Sequence, residues 1–127
     1  MYIGKIAAYV QQKINLPATK KKVNDAVDFI DSNYSRIDMS LNLVADTIGV
    51  NASYLSNIFK KEKGCSLSKY LTQTRLEQAK KYLTEYPDKT LIEIAESIGY
   101  SDVYYFSKNF KKYYGISPSK YQEERKM

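Results

Sequence analysis

Residues 99–121 read GYSDVYYFSKNFKKYYGISPSKY, and residues 49–70 read GVNASYLSNIFKKEKGCSLSKY. The two stretches are nearly the same sentence. Leu41, Ala45, Ile48 and Gly49 recur at a constant offset as Leu91, Ala95, Ile98 and Gly99. With the offset one residue longer, Tyr54, Ser56, Phe59, Lys60, Lys61 and Gly64 recur as Tyr105, Ser107, Phe110, Lys111, Lys112 and Gly115. Ser66, Ser68, Lys69 and Tyr70 then recur as Ser117, Ser119, Lys120 and Tyr121. The change of offset falls in a turn, where an insertion disturbs least. A self-similarity of this length marks one supersecondary unit used twice.

The unit is helical. Apolar residues recur at three- and four-residue spacing, with no sustained alternation of period two. Each copy is a short helix, a turn containing glycine, a second helix and a glycine stop, which is the outline of a helix-turn-helix. Ser40 and Asn51 are suited to cap the helices of the first copy, Leu41 to Ile48 and Ala52 to Lys63. Thr90 with Glu93 has the capping-box spacing ahead of Leu91, and Ser101 is suited to cap Asp102 to Tyr114. Ser117 followed by Pro118 favours a last short helix running toward Arg125. Ala45 and Ala95 lack the bulk that would hold the second helix away from the first. Gly49 and Gly99 can take the positive φ that the turn needs.

Outside the repeat, three further helices are expected. Ile3, Ile6, Ala7, Val10 and Ile14 share one face of an N-terminal amphipathic helix. Val23, Ala26, Val27 and Ile30 do so in a segment from about Lys21 to Tyr34. A longer helix from Ser66 to about Tyr86 carries Leu67, Tyr70, Leu71, Leu76, Ala79 and Leu83 on its apolar face. The expected architecture is all-α: an N-terminal helix or linker (1–19), a first helix-turn-helix unit (20–65), a linker helix (66–86) and a second unit (87–127).

The mixture of rings and lysines separates once the second helix of each copy is sorted by angle. Phe106, Phe110 and Tyr113 fall on one side; Tyr104, Ser107, Lys108 and Lys111 fall on another. In the first copy Leu55, Ile58 and Phe59 oppose Ser53, Ser56, Asn57 and Lys60. Short hydrogen-bonding side chains with lysine suit a helix entering a major groove. Phe59, Phe110, Tyr70 and Tyr121 read as core. Lys60, Lys61, Lys111 and Lys112 have an ordinary reading as a solvated face. Their recurrence beside equivalent polar faces favours phosphate contact.

Charge agrees. The 127 residues carry 20 Lys and Arg against 14 Asp and Glu, a net charge of +6, which favours an anionic partner. There is no histidine, which removes the commonest general base and His-based triads and metal sites. The single cysteine, Cys65, excludes an internal disulfide. No apolar run approaches the ~18 residues of a membrane span, and the N-terminus does not read as a signal peptide. No catalytic constellation, metal site or cofactor is indicated, and a cytoplasmic location is expected.

The residues that carry most information are IAESIGYSDVYYFSKNFKKYYGISPSKYQEER in the second copy, VADTIGVNASYLSNIFKKEKGCSLSKYL in the first and RLEQAKKYL between them. Together they resemble the paired helix-turn-helix domain of AraC/XylS-type bacterial transcription regulators, from about Lys21 to Lys126. The resemblance implies seven helices, with two recognition helices in successive major grooves of double-stranded DNA. It maps base contacts to Ser53, Ser56 and Asn57 in the first copy and to Val103, Tyr104, Ser107 and Lys108 in the second. Arg75 matches the linker-helix arginine of the family and is assigned to phosphate, with bracing of the two units or a plain surface role as the alternatives. The resemblance also implies an activator that contacts RNA polymerase and sits behind a sensor or receiver domain, with a small stand-alone activator as the alternative. The rival reading, from another class, is a helix-turn-helix scaffold turned into a protein-interaction module that docks polymerase or a sensor domain.

Overall fold

The structure, a computed structural model, describes residues 17–126. The N-terminal helix expected from Ile3, Ile6, Val10 and Ile14 lies outside the described residues. Among these, seven helices follow one another without a strand: α1 (Ala18–Asn33), α2 (Leu41–Ile48), α3 (Ala52–Lys63), α4 (Leu67–Glu85), α5 (Leu91–Ser97), α6 (Val103–Tyr114) and α7 (Pro118–Lys126). None is long and apolar enough to cross a membrane.

The caps explain most boundaries. The Ser40 side chain accepts from the Leu43 N–H, Ser66 from Lys69 and Thr90 from Glu93. Each satisfies one of the amide groups that a helix start leaves without a partner. Helix α1 begins three residues before the expected Lys21, because Pro17 takes φ −52° and presents its carbonyl to the Lys21 N–H. Helix α6 is capped by Asp102, whose carboxylate accepts from the Tyr104 N–H, and not by Ser101. Asp102 is extended, with φ −126° and ψ 113°, as an N-cap requires.

Two apolar cores sit side by side. The first gathers Val23, Ala26 and Ile30 of α1, Val44 and Ala45 of α2, Leu55, Ile58 and Phe59 of α3, and Leu67 and Leu71 of α4. The second gathers Leu76, Ala79 and Leu83 of α4 with Ile94, Ala95 and Ile98, Tyr100, Phe106 and Phe110, and Tyr121. Helix α4 therefore joins the halves by contributing to both cores. Its 19 residues reach about 28 Å at 1.5 Å per residue. Ala45 and Ala95 are both 1% exposed, as close crossing of the paired helices demands.

Two aromatic assignments change. Tyr113, expected in the core, is 41% exposed, and its neighbour Tyr114 is the half-buried ring against Phe110, at 4.7 Å. Near the end of α6 the apolar arc rotates by one residue as α7 turns back over the core. Tyr70 is half-buried rather than core. Its ring meets Phe59 edge-on at 5.7 Å, while its hydroxyl donates to the Asp31 carboxylate at 2.9 Å. A phenol needs a partner for its polar tip, and α1 supplies one at the surface.

Candidate nucleic-acid interface

The two recognition helices present matching outer faces because their inner faces are fixed. In α3, Leu55 and Phe59 are 0% exposed and Ile58 is 8% exposed. In α6, Phe106 and Phe110 are 0% exposed. At 3.6 residues per turn this leaves Ser53, Asn57, Lys60 and Lys61 of α3 exposed, with Ser56 half-buried beside them. On α6, Tyr104, Lys108, Lys111 and Lys112 are exposed, with Ser107 and Val103 half-buried. Val103 also packs against the second core, so only part of its side chain is open.

The starts of the helices are pinned close to these faces. Asn51 accepts from the amides of Ser53 at 2.8 Å and Tyr54 at 3.3 Å. Asp102 does the same for Tyr104 at 2.9 Å. The first turn is where a recognition helix meets base edges, so a firm cap there orders Ser53 and Tyr104. The last turns hold Lys60, Lys61 and Lys63 in α3 and Lys111 and Lys112 in α6, which also suits the negative end of the helix dipole. Among the described residues, none of the five lysines placed at the interface, Lys60, Lys61, Lys108, Lys111 and Lys112, is held in an ion pair. Lys112 stands on the flank of α6. It borders an open groove of about 600 Å³ lined also by Ser68, Lys69, Thr72 and Leu76 of α4 and by Tyr113.

Tyr104 is 84% exposed, the most open large ring of those described. Nothing in the core explains it, and it stands on the side of Lys108 and Lys111.

Arg75 is a correction. Assigned above to phosphate, it is 9% exposed. Its Nε donates to the Tyr34 carbonyl at 2.8 Å and its Nη2 to the Arg36 carbonyl at 2.6 Å. Its Cζ lies 5.5 Å from the centre of the Tyr100 ring. A guanidinium committed to two backbone carbonyls and a ring face is not free for DNA. Burial pulls its pKa below the usual arginine value, and Tyr100 acts in the opposite sense. Of its two alternatives, bracing is the one that the geometry adopts. Lys22, in a run of three lysines, is likewise engaged: its Nζ donates to the Ile48 carbonyl at the end of α2, at 3.2 Å. Lys20 and Lys21 remain exposed.

Sequence reasoning put the α6 cap at Ser101 ahead of Asp102 and missed the carbonyls that bind Arg75. The first was legible, since aspartate two residues before a tyrosine amide is a standard capping arrangement. The second left no signal, because a backbone carbonyl has no letter of its own.

Seven helices in two cores, each core carrying a capped helix with a lysine-bearing outer face, define a paired helix-turn-helix protein. Residues 44–124 match the family described as "Helix-turn-helix domain". The chain belongs to the AraC/XylS-type transcription regulators of that family. It is 38% identical over 107 residues to the Msm operon regulatory protein of Streptococcus mutans, an alignment that covers 84% of this chain and 38% of that one. It is 34% identical over 128 residues to the lactose operon transcription activator of Staphylococcus xylosus, covering 95% of this chain and 45% of the relative. It therefore spans less than half the length of these two relatives. Among solved structures, the C-terminal domain of AraT, a response regulator from Geobacillus stearothermophilus, superposes with a TM-score of 0.79 at 35% identity, over 87% of this chain and 88% of that one.

Proposed function

We propose that this chain is the DNA-binding part of a transcription activator, reading double-stranded DNA with α3 and α6 in successive major grooves. Ser53, Ser56 and Asn57 face the bases of one groove, and Val103, Tyr104, Ser107 and Lys108 those of the next. Lys60, Lys61, Lys111 and Lys112 hold the phosphates on either side. The observation that carries this reading is the repetition of one polar face at one register on two helices whose opposite faces are buried. Asn57 is suited to adenine and Lys108 to guanine, so the two grooves are read for different bases. A DNA partner, with relatives from bacteria, supports a cytoplasmic location.

Two wider roles rest on the relatives alone. One of them is named as an activator, and the AraT structure as a response-regulator domain. By that likeness this domain acts with a sensor or receiver domain and recruits RNA polymerase.

Selection of bound sequences from a random DNA pool tests the central reading. Two short unlike motifs about 10 base pairs apart are expected, one helical turn of the duplex. Enrichment of a single motif removes the two-groove geometry, and no enrichment at all removes sequence-specific binding.

A further inference from the structure

Midway along α4 a cation is buried at the seam between the two cores. Arg75 lies between Leu71, the last α4 residue of the first core, and Leu76, the first of the second. Among the described residues, no carboxylate forms an ion pair with it. A buried charge must be satisfied in some other way, and the planar fork of arginine can serve several acceptors at once. Here the acceptors are the Tyr34 and Arg36 carbonyls, in the segment that leaves α1. On the other side lies the Tyr100 ring, in the turn that leads into α6.

The glycines of the two turns make the arrangement asymmetric. Gly49 and Gly99 both have positive φ, at +77° and +99°. A Cβ added to Gly49 would meet nothing within 4 Å. A Cβ added to Gly99 would lie 2.8 Å from Arg75 Nη2, 2.9 Å from its Cζ and 2.9 Å from the Tyr34 carbonyl oxygen. The first turn needs glycine for its backbone alone. The second also needs it so that the guanidinium can lie flat against the chain.

We propose that Arg75 is a positioning residue that sets the separation and angle of the two recognition helices. It ties three elements together. Its own helix α4 is one. The second is the exit of α1, which packs directly on α3. The third is the Gly99–Tyr100 turn immediately ahead of α6. Displacing the guanidinium frees the second unit to shift on the first while leaving each recognition face intact. The proposal rests on the two-groove reading above, because only a two-site reader is sensitive to the distance between its helices.

The test measures affinity on three DNAs: both selected motifs at their natural spacing, one motif alone, and both motifs with inserted base pairs. The proteins are the wild type, Arg75→Met, Arg75→Lys, Gly99→Ala and, as a control for backbone strain alone, Gly49→Ala. Joining two readers rigidly multiplies affinity, so the wild type is expected to prefer two motifs over one by about 100-fold and to lose most of that with about five inserted base pairs. In Arg75→Met and Gly99→Ala, one-motif affinity is expected to stay within about twofold of wild type, while the two-motif advantage falls about tenfold and the spacing optimum broadens. Arg75→Lys keeps the charge and loses the fork, and should follow Arg75→Met. Gly49→Ala should keep the wild-type spacing profile.

Circular dichroism establishes which variants are folded, and if Arg75→Met is not, Arg75→Lys and Gly99→Ala decide. A spacing profile unchanged in the folded variants overturns the proposal. So does an equal loss on one-motif and two-motif DNA. A wild type with no preference for two motifs overturns the two-groove reading itself, and this proposal with it.

Discussion

Tyr104 and Phe106 stand two residues apart on α6 and look in opposite directions, one ring 84% exposed and the other 0% exposed. The pair separates binding from folding within a single turn of helix. Phe106→Ala empties a site in the second core and should cost about 3–5 kcal/mol of stability, read from a chemical melt. Tyr104→Ala should leave the melt unchanged and weaken binding to the selected DNA. A Tyr104→Ala protein that binds normally would remove this residue from the interface.

Salt is a direct measure of the phosphate contacts. Lys60, Lys61, Lys111 and Lys112 are exposed at the flanks of the two faces. Each neutralised phosphate contributes about −0.9 to the slope of log affinity against log salt concentration, so these four alone imply a slope near −3.6. Each Lys→Ala change should flatten the slope by about one. A slope near zero in a binding titration would contradict the assignment.

Base and phosphate roles separate in competition experiments. Asn57→Ala and Lys108→Ala should relax preference at one position each, by about 1–3 kcal/mol of discrimination. Lys112→Ala should lower affinity for specific and random DNA alike. If all three variants lose affinity in the same proportion on both DNAs, the division of labour is wrong.

Alkaline pH should destabilise the fold through its tyrosines. Burial, with hydrogen bonding and charge from Tyr82, pushes the Tyr34 hydroxyl up to about 12. Burial together with the Asp31 carboxylate does the same for Tyr70, to about 12, and burial with Glu77 nearby for Tyr114, also to about 12. In the unfolded chain these groups ionise near pH 10. The folded state holds their protons more tightly, so their contribution is intact below about pH 10 and is lost as pH rises toward 12. Tyr121 moves the other way and offsets part of the loss. Burial raises it, but hydrogen bonds with Thr84 and Arg125 outweigh that. Denaturant midpoints should therefore fall steadily from about pH 9.5 upward, and a flat profile to about pH 11.5 would contradict the packing of these three rings.

Tyr114 also offers a stabilising substitution. Its hydroxyl is buried with no hydrogen-bond partner among the described residues, while its ring packs on Phe110 and faces the Lys80 ammonium at 4.8 Å. Tyr114→Phe keeps the ring and removes the unsatisfied oxygen. Stability should rise by about 1 kcal/mol in a denaturant melt. A loss of similar size would mean that the hydroxyl has a partner.

Much of this architecture was legible before any coordinate. The repeat fixed two equivalent units, and the three- and four-residue spacing gave the helices. The angular sort of α3 placed Leu55, Ile58 and Phe59 inward. What failed did so at ends and seams. Tyr113 and Tyr114 are adjacent letters of one type, and only α7, folding back over the core, decides which is covered. Ser101 and Asp102 are both good caps, and the choice depends on where the Gly99–Tyr100 turn releases the chain. Arg75 misled for a deeper reason. Arginine in a basic DNA-binding domain looks like a phosphate ligand, and the carbonyls that claim it lie in a loop some forty positions away. Ser53, Asn57, Tyr104 and Lys108 are exposed, as the angular sort expected, and the DNA experiments above decide their roles.

Helix α4 holds Leu67 and Leu71 in one core and Leu76, Ala79 and Leu83 in the other. Neither repeat therefore owns a complete interior. A cut in the middle of α4 would strip a wall from each, so proteolysis there should release two unfolded peptides and not two working modules. The duplication reaches the buried Ala45 and Ala95, Phe59 and Phe110; what the halves hold in common is the one helix that walls both cores.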